Sequence, residues 1–89
     1  MKRTKIDGYT LVEMTEEEVM LEFGYDFSLV PGAVKEFSIE EADGELLAYE
    51  TSNGNYILWR SGRATSKFVD SKEEAIEELI KDAYESDCL

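Results

Sequence analysis

The sequence predicts a small α+β domain: an antiparallel meander of three or four strands, with a short N-terminal helix and a C-terminal amphipathic helix packed on the sheet. Three observations carry that expectation. Two capping boxes, Thr15 with Glu18 and Ser71 with Glu74, mark two helix starts. From Ala33 onward apolar and polar residues alternate with a period of two, the spacing of a strand with two unlike faces. Asp43-Gly44, Asn53-Gly54 and Ser61-Gly62 then punctuate that stretch as turns.

Each element has its own local reason. Thr15 to Phe23 reads as a short helix, with Met14 and Val19 in the positions of a hydrophobic staple. Glu16, Glu17 and Glu18 stand where the helix dipole favours acid, and Gly24 supplies the left-handed residue that ends such a helix. Tyr9 to Met14 can form a strand before it, and Pro31-Gly32 a turn after it. The meander then runs through Phe37 and Ile39, Leu46 to Thr51, Tyr56 to Arg60 and Ala64 to Val69. In its middle strands Leu47, Tyr49, Ile57 and Trp59 share one parity, Tyr56 and Leu58 the other, so both faces of the sheet need cover. From Ser71 to Ser86, residues Ala75, Ile76, Leu79, Ile80, Ala83 and Tyr84 recur at helical spacing and form one apolar stripe.

A chain of 89 residues makes a single domain, 1–89, that buries roughly 60–70% of its unfolded surface. Hydrophobic residues at 43% set it apart from a disordered chain, despite a formal charge of −12. With no His and one Cys, His-based triads, Cys/His zinc sites and intrachain disulfides are excluded by count. The bare thiol of Cys88 suits a reducing compartment. No apolar run approaches the ~20 residues of a spanning helix, and the basic start through Lys5 leads to Ile6-Asp7-Gly8 rather than a signal-peptide core. The expectation is a cytoplasmic protein without membrane attachment, cofactor or bound metal.

The charge is segregated. Residues 1–6 carry +3, residues 7–50 carry −12, residues 51–69 carry +3 and residues 70–89 carry −6. On the last helix Glu74, Glu78 and Asp82, with Glu85, fall opposite the apolar stripe, where neighbouring like charges oppose folding by a few tenths of a kcal/mol per pair. On the first strand of the meander the alternation puts Glu36 and Glu40 on an outward acidic face, continued by Glu41, Asp43 and Glu45 in the turn. Such arrays can take the place of a nucleic-acid backbone against a protein that binds phosphates through Lys and Arg.

Glu36, Glu40, Glu41, Asp43, Glu45, Glu74, Glu78 and Asp82 are therefore the expected partner-binding residues, and no catalytic residue is expected. The expected partner is a basic nucleic-acid-binding protein such as a nuclease, occluded stoichiometrically in the style of phage-encoded anti-CRISPR, anti-restriction and nuclease-immunity proteins. Direct binding to DNA or RNA is opposed by the net charge. The bland alternative is a solvated acidic surface that keeps a protein-interaction module soluble while an apolar patch or sheet edge does the binding. Residues 40–45 lack the alternating acid spacing of a calcium loop. Arg60, Arg63 and Lys67 beside Trp59 and Tyr56 read as bases paired internally with the acidic helix or strand around a core tryptophan, rather than as a nucleic-acid patch. Phe23, Tyr25 and Phe27 read as core aromatics, with interface anchoring as the alternative.

Overall fold

The computed structural model describes residues 1–42, 46–60 and 66–87. Its elements are β1 (Lys2–Ile6), β2 (Tyr9–Thr15), α1 (Glu16–Phe23), β3 (Ala33–Ile39), β4 (Leu46–Thr51), β5 (Tyr56–Arg60), β6 (Ser66–Val69) and α2 (Lys72–Asp87). All six strands lie in one antiparallel sheet in sequence order, so the α+β meander is as expected but wider than three or four strands. The additional width is the β1–β2 hairpin. Asp7 and Gly8 both adopt positive φ, at 52° and 84°, the conformation of the tight two-residue turn that joins Ile6 to its partner Tyr9. β1 escapes the hydrophobic pattern because it is an edge strand of Lys, Arg and Thr, and charge on an edge discourages pairing with another chain.

The helix ends form as their sequences dictate. Thr15 Oγ1 accepts from the Glu18 amide at 3.3 Å, and the Glu18 carboxylate accepts from the Thr15 amide at 3.0 Å. At the other end Gly24, with φ 81°, donates its amide to the carbonyls of Met20 and Val19. Met14 and Val19 meet in one apolar cluster, as a staple requires. For α2, Ser71 Oγ accepts from the Glu74 amide at 3.1 Å, but the Glu74 carboxylate reaches the amide of Asp70, one residue before the expected partner.

α2 covers one face of the sheet, and α1 with the segment after it covers part of the other. α2 packs on β3 through β6, and Ala75, Leu79 and Ala83 join Leu11, Phe37 and Leu58 in one core, with Ile76 and Ile80 half-buried at its margin. Tyr84 does not continue that stripe: it is 62% exposed. α1 packs on β2 and β3, where Val19 enters a second core with Val12, Met14, Phe27 and Tyr49. The parity inferred for the middle strands holds, with Leu47, Tyr49, Ile57 and Trp59 on the α1 face and Tyr56 and Leu58 on the α2 face.

Register places Met14, Glu36, Tyr49, Ile57 and Phe68 side by side across five strands on the α1 face. Glu36 was expected outward but is buried, 4% exposed. Alternation alone cannot tell a solvent face from a second covered face, and here α1 and the segment following it close over the Met14, Glu36 and Tyr49 part of that row.

Leu79→Ala should destabilise the domain by about 2–5 kcal/mol, because it empties the centre of the α2 core. Ile80→Ala should cost less, since Ile80 is only half-buried. Urea unfolding followed by Trp59 fluorescence checks both, and an unmoved midpoint for Leu79→Ala would contradict the packing of α2.

Candidate functional site

The predicted acidic residues fall into three groups. Glu36 lies in the α1-face core, where Tyr25 Oη donates to its carboxylate oxygens at 2.8 and 2.9 Å and Tyr49 Oη donates at 3.0 Å. Burial pushes the Glu36 carboxyl above its ordinary value, partly opposed by the two phenol hydrogen bonds. Burial and the adjacent carboxylate in turn hold both tyrosines well above the usual phenol range.

Glu40 and Glu41 are exposed, as expected, but each has an internal task. Glu40 accepts from Arg3 Nε at 2.9 Å. Glu41 accepts from the Thr10 amide at 2.7 Å and from Thr10 Oγ1 at 2.8 Å, with Lys5 Nζ at 3.6 Å. The Thr10 hydrogen bonds, with a smaller contribution from Lys5, hold the Glu41 carboxyl down to about 2. Asp43 and Glu45 lie outside the described residues, as does Arg63.

On α2, Glu74 serves the helix start, Glu78 stands 3.8 Å from Lys67 Nζ, and Asp82 accepts from Arg60 Nη2 at 2.7 Å. Arg60 and Lys67 thus pair with the acidic helix as expected. Among the described side chains, the exposed acids of α2 are Glu73, Glu74, Glu77 and Glu85. Alternation in the sequence gives no sign of a further cluster, at Glu13. That buried carboxylate lies 3.9 Å from Lys2, 3.9 Å from Lys35 and 3.7 Å from Lys72, whose ammonium also sits 5.5 Å above the Phe37 ring.

Seven of the nine basic side chains, Lys2, Arg3, Lys5, Lys35, Arg60, Lys67 and Lys72, therefore lie within 4.0 Å of a carboxylate of the same chain. The acid surplus is left on the outer surface. Among the described residues no group of three or more acidic or thiol side chains is arranged to hold a metal ion, and no helix is long and apolar enough to cross a membrane.

The other candidate is concave and lies on the α1 face. Two adjoining cavities open there, of about 390 and 580 Å³, and both are lined by Tyr25 and Leu47. The first is lined by Glu22, Phe23, Glu36, Ser38 and Glu40 among others; the second by Phe27, Leu29, Val30, Tyr49 and Trp59. Of the three aromatics singled out in the sequence, Phe27 is core and meets Tyr49 edge-on at 5.2 Å. Phe23 and Tyr25 are 59% and 41% exposed, and their rings stack at 6.0 Å between centroids and 18° between planes.

The two perturbed carboxyls should give opposite pH signatures. A value raised by folding contributes stability that is fully present below the unfolded carboxyl value and is lost as pH rises through the folded one, so Glu36→Gln should raise stability at pH 7. A value depressed to about 2 contributes stability present above the unfolded value and lost as pH falls towards 2, so Glu41→Gln should lower stability at pH 7 and converge on the parent in acid. Urea midpoints at pH 7, 5 and 3 test both signs.

Comparison of the chain with protein-family models, with curated proteins and with solved structures finds no match, and the charged surface and the α1-face cavities are what bear on function.

Proposed function

We propose that this protein is a non-catalytic, cytoplasmic, stoichiometric inhibitor. It presents carboxylates in place of phosphates and occludes the basic nucleic-acid-binding surface of a nuclease or other DNA- or RNA-acting protein. The observation that carries this reading is the internal pairing of seven of nine basic side chains in a chain of net charge −12. With its cations so engaged, the molecule turns Glu17, Glu22 and Asp26 on the α1 side, and Glu73, Glu77 and Glu85 on α2, towards water. A basic groove gains from such a surface what it gains from a phosphate backbone: fast steered encounter and release of bound counterions.

The half-covered α1 face supports a second reading, an interaction module that binds through apolar contact with its acidity serving solubility. Salt separates the two. Charge-driven association slows steeply between low and physiological ionic strength, whereas an apolar interface is nearly indifferent.

Two variants test the leading reading: Glu73, Glu77 and Glu85 changed to Lys, and Glu17, Glu22 and Asp26 changed to Lys. With a partner isolated by affinity capture, at least one variant should lose association rate by 10-fold or more and show a shallower salt dependence. Both variants folding and binding as the parent does would overturn nucleic-acid mimicry. The protein itself should not shift DNA or RNA in an anisotropy titration near physiological salt; tight binding to either polymer would contradict the proposal.

A further inference from the structure

We infer that the paired cavities on the α1 face form a two-lobed receptor for a segment of the basic partner, taking an arginine side chain in the first lobe and an apolar side chain in the second. This inference rests on the reading of a basic partner given above. The first lobe has the chemistry of a guanidinium site. Among the described residues Glu22 and Glu36 line it without a salt bridge to a base, Glu40 lines it paired with Arg3, and the Met1 amine that also lines it is engaged by Glu18. Phe23 and Tyr25 add two nearly parallel rings, partly open to solvent, on which a planar guanidinium can stack. The Glu36 carboxylate is held away from water by the same wall, and a cation brought beside it gains more than it would from a solvated acid.

The second lobe has a different character. Phe27, Leu29, Val30, Leu47 and Trp59 dominate it, and Asp26 is the one carboxylate among the described residues that line it. Leu29 is 76% exposed beside it, an apolar side chain left at the rim. Because the lobes share Tyr25 and Leu47, one short segment can fill both. In an extended peptide residues i and i+2 point the same way about 6.6 Å apart, which suits adjoining sites. A second copy of this chain is the poorer occupant, since two molecules of charge −12 repel each other.

The probe is acetyl-Leu-Ser-Arg-amide, whose only charge is the guanidinium, titrated into the full chain and followed by amide and indole chemical shifts. Saturable binding should move Phe23, Tyr25, Ser38, Leu47 and the Trp59 indole, and the matching citrulline peptide should bind at least 10-fold more weakly. Phe23→Ala should weaken the arginine peptide about 5-fold or more with an unchanged urea midpoint, and Glu22→Gln should weaken it measurably. Glu73→Lys with Glu77→Lys on α2 should change peptide affinity less than 2-fold. Equal binding of the citrulline peptide, shifts centred on α2, or no saturable binding each overturn the receptor. So do shifts at these same residues that depend on protein concentration without peptide, which would assign the face to a second copy. Peptide binding as expected, together with partner association indifferent to the Glu73, Glu77 and Glu85 reversal and nearly indifferent to salt, would remove nucleic-acid mimicry and leave the receptor standing.

Discussion

The constraint on which the rest of this structure depends is a mismatch between the width of the sheet and the length of the helices available to cover it. Six strands spaced about 4.8 Å apart make a sheet about 24 Å across. α2, with sixteen residues, is about 24 Å long and can serve one face. α1, with eight residues, is about 12 Å long and serves half of the other. The segment after α1 extends the cover with Phe27 and Val30, tied back by the Phe27 amide donating to the Glu16 carboxylate at 2.9 Å. Beyond it the sheet face remains open among the described residues, and there lie the second cavity, the half-buried Trp59 and the 67% exposed Phe68 on β6.

The same asymmetry explains why two buried glutamates reach different solutions on opposite faces. Glu13, on the α2 face, is surrounded by lysines from β1, β3 and α2, so its charge is opposed from three directions. Glu36, on the α1 face, receives two phenol hydrogen bonds and no ammonium group within ion-pair distance among the described residues. Hydrogen bonds satisfy its lone pairs but do not offset the loss of water around a full charge, which is why burial dominates its protonation. Neighbouring registers, Glu13 opposite Phe37 and Met14 opposite Glu36, thus carry one carboxylate matched within the fold and one that is not.

What could be read from the sequence follows how local each signal is. The two helix starts, the glycine stop at Gly24 and the parity of β4 and β5 depend on residues a few positions apart, and they form as expected. The pairing of Arg60 and Lys67 with α2 was also legible, because the stretch from 51 to 69 contains bases and no acid while the charged residues of the helix opposite are mostly acidic. β1 was not legible, since a polar edge strand has no apolar alternation and its only mark is the Asp7-Gly8 turn. The burial of Glu36 was hidden for another reason. Whether its side of β3 meets water depends on a helix and a loop from elsewhere in the chain, and their aromatic residues, Tyr25 and Phe27, were the only hint that they fold back.

Stability does not account for the distribution of charge. Exposed ion pairs of the kind made by Arg3, Lys5 and Lys67 each contribute at most about 1 kcal/mol, and less in salt. What they do is set each of these cations against a carboxylate of the same chain. A chain of net charge −12 then repels itself in the compact state, a penalty that mixing the signs would have avoided. The open half of the α1 face is likewise a loss to the isolated domain, since Trp59, Leu29 and Phe68 leave apolar area in water that a longer α1 would cover. A basic surface with an apolar projection relieves both penalties at once. Under the proposed function, charge would set how quickly the protein and a basic partner meet, and the open sheet face how long they stay together.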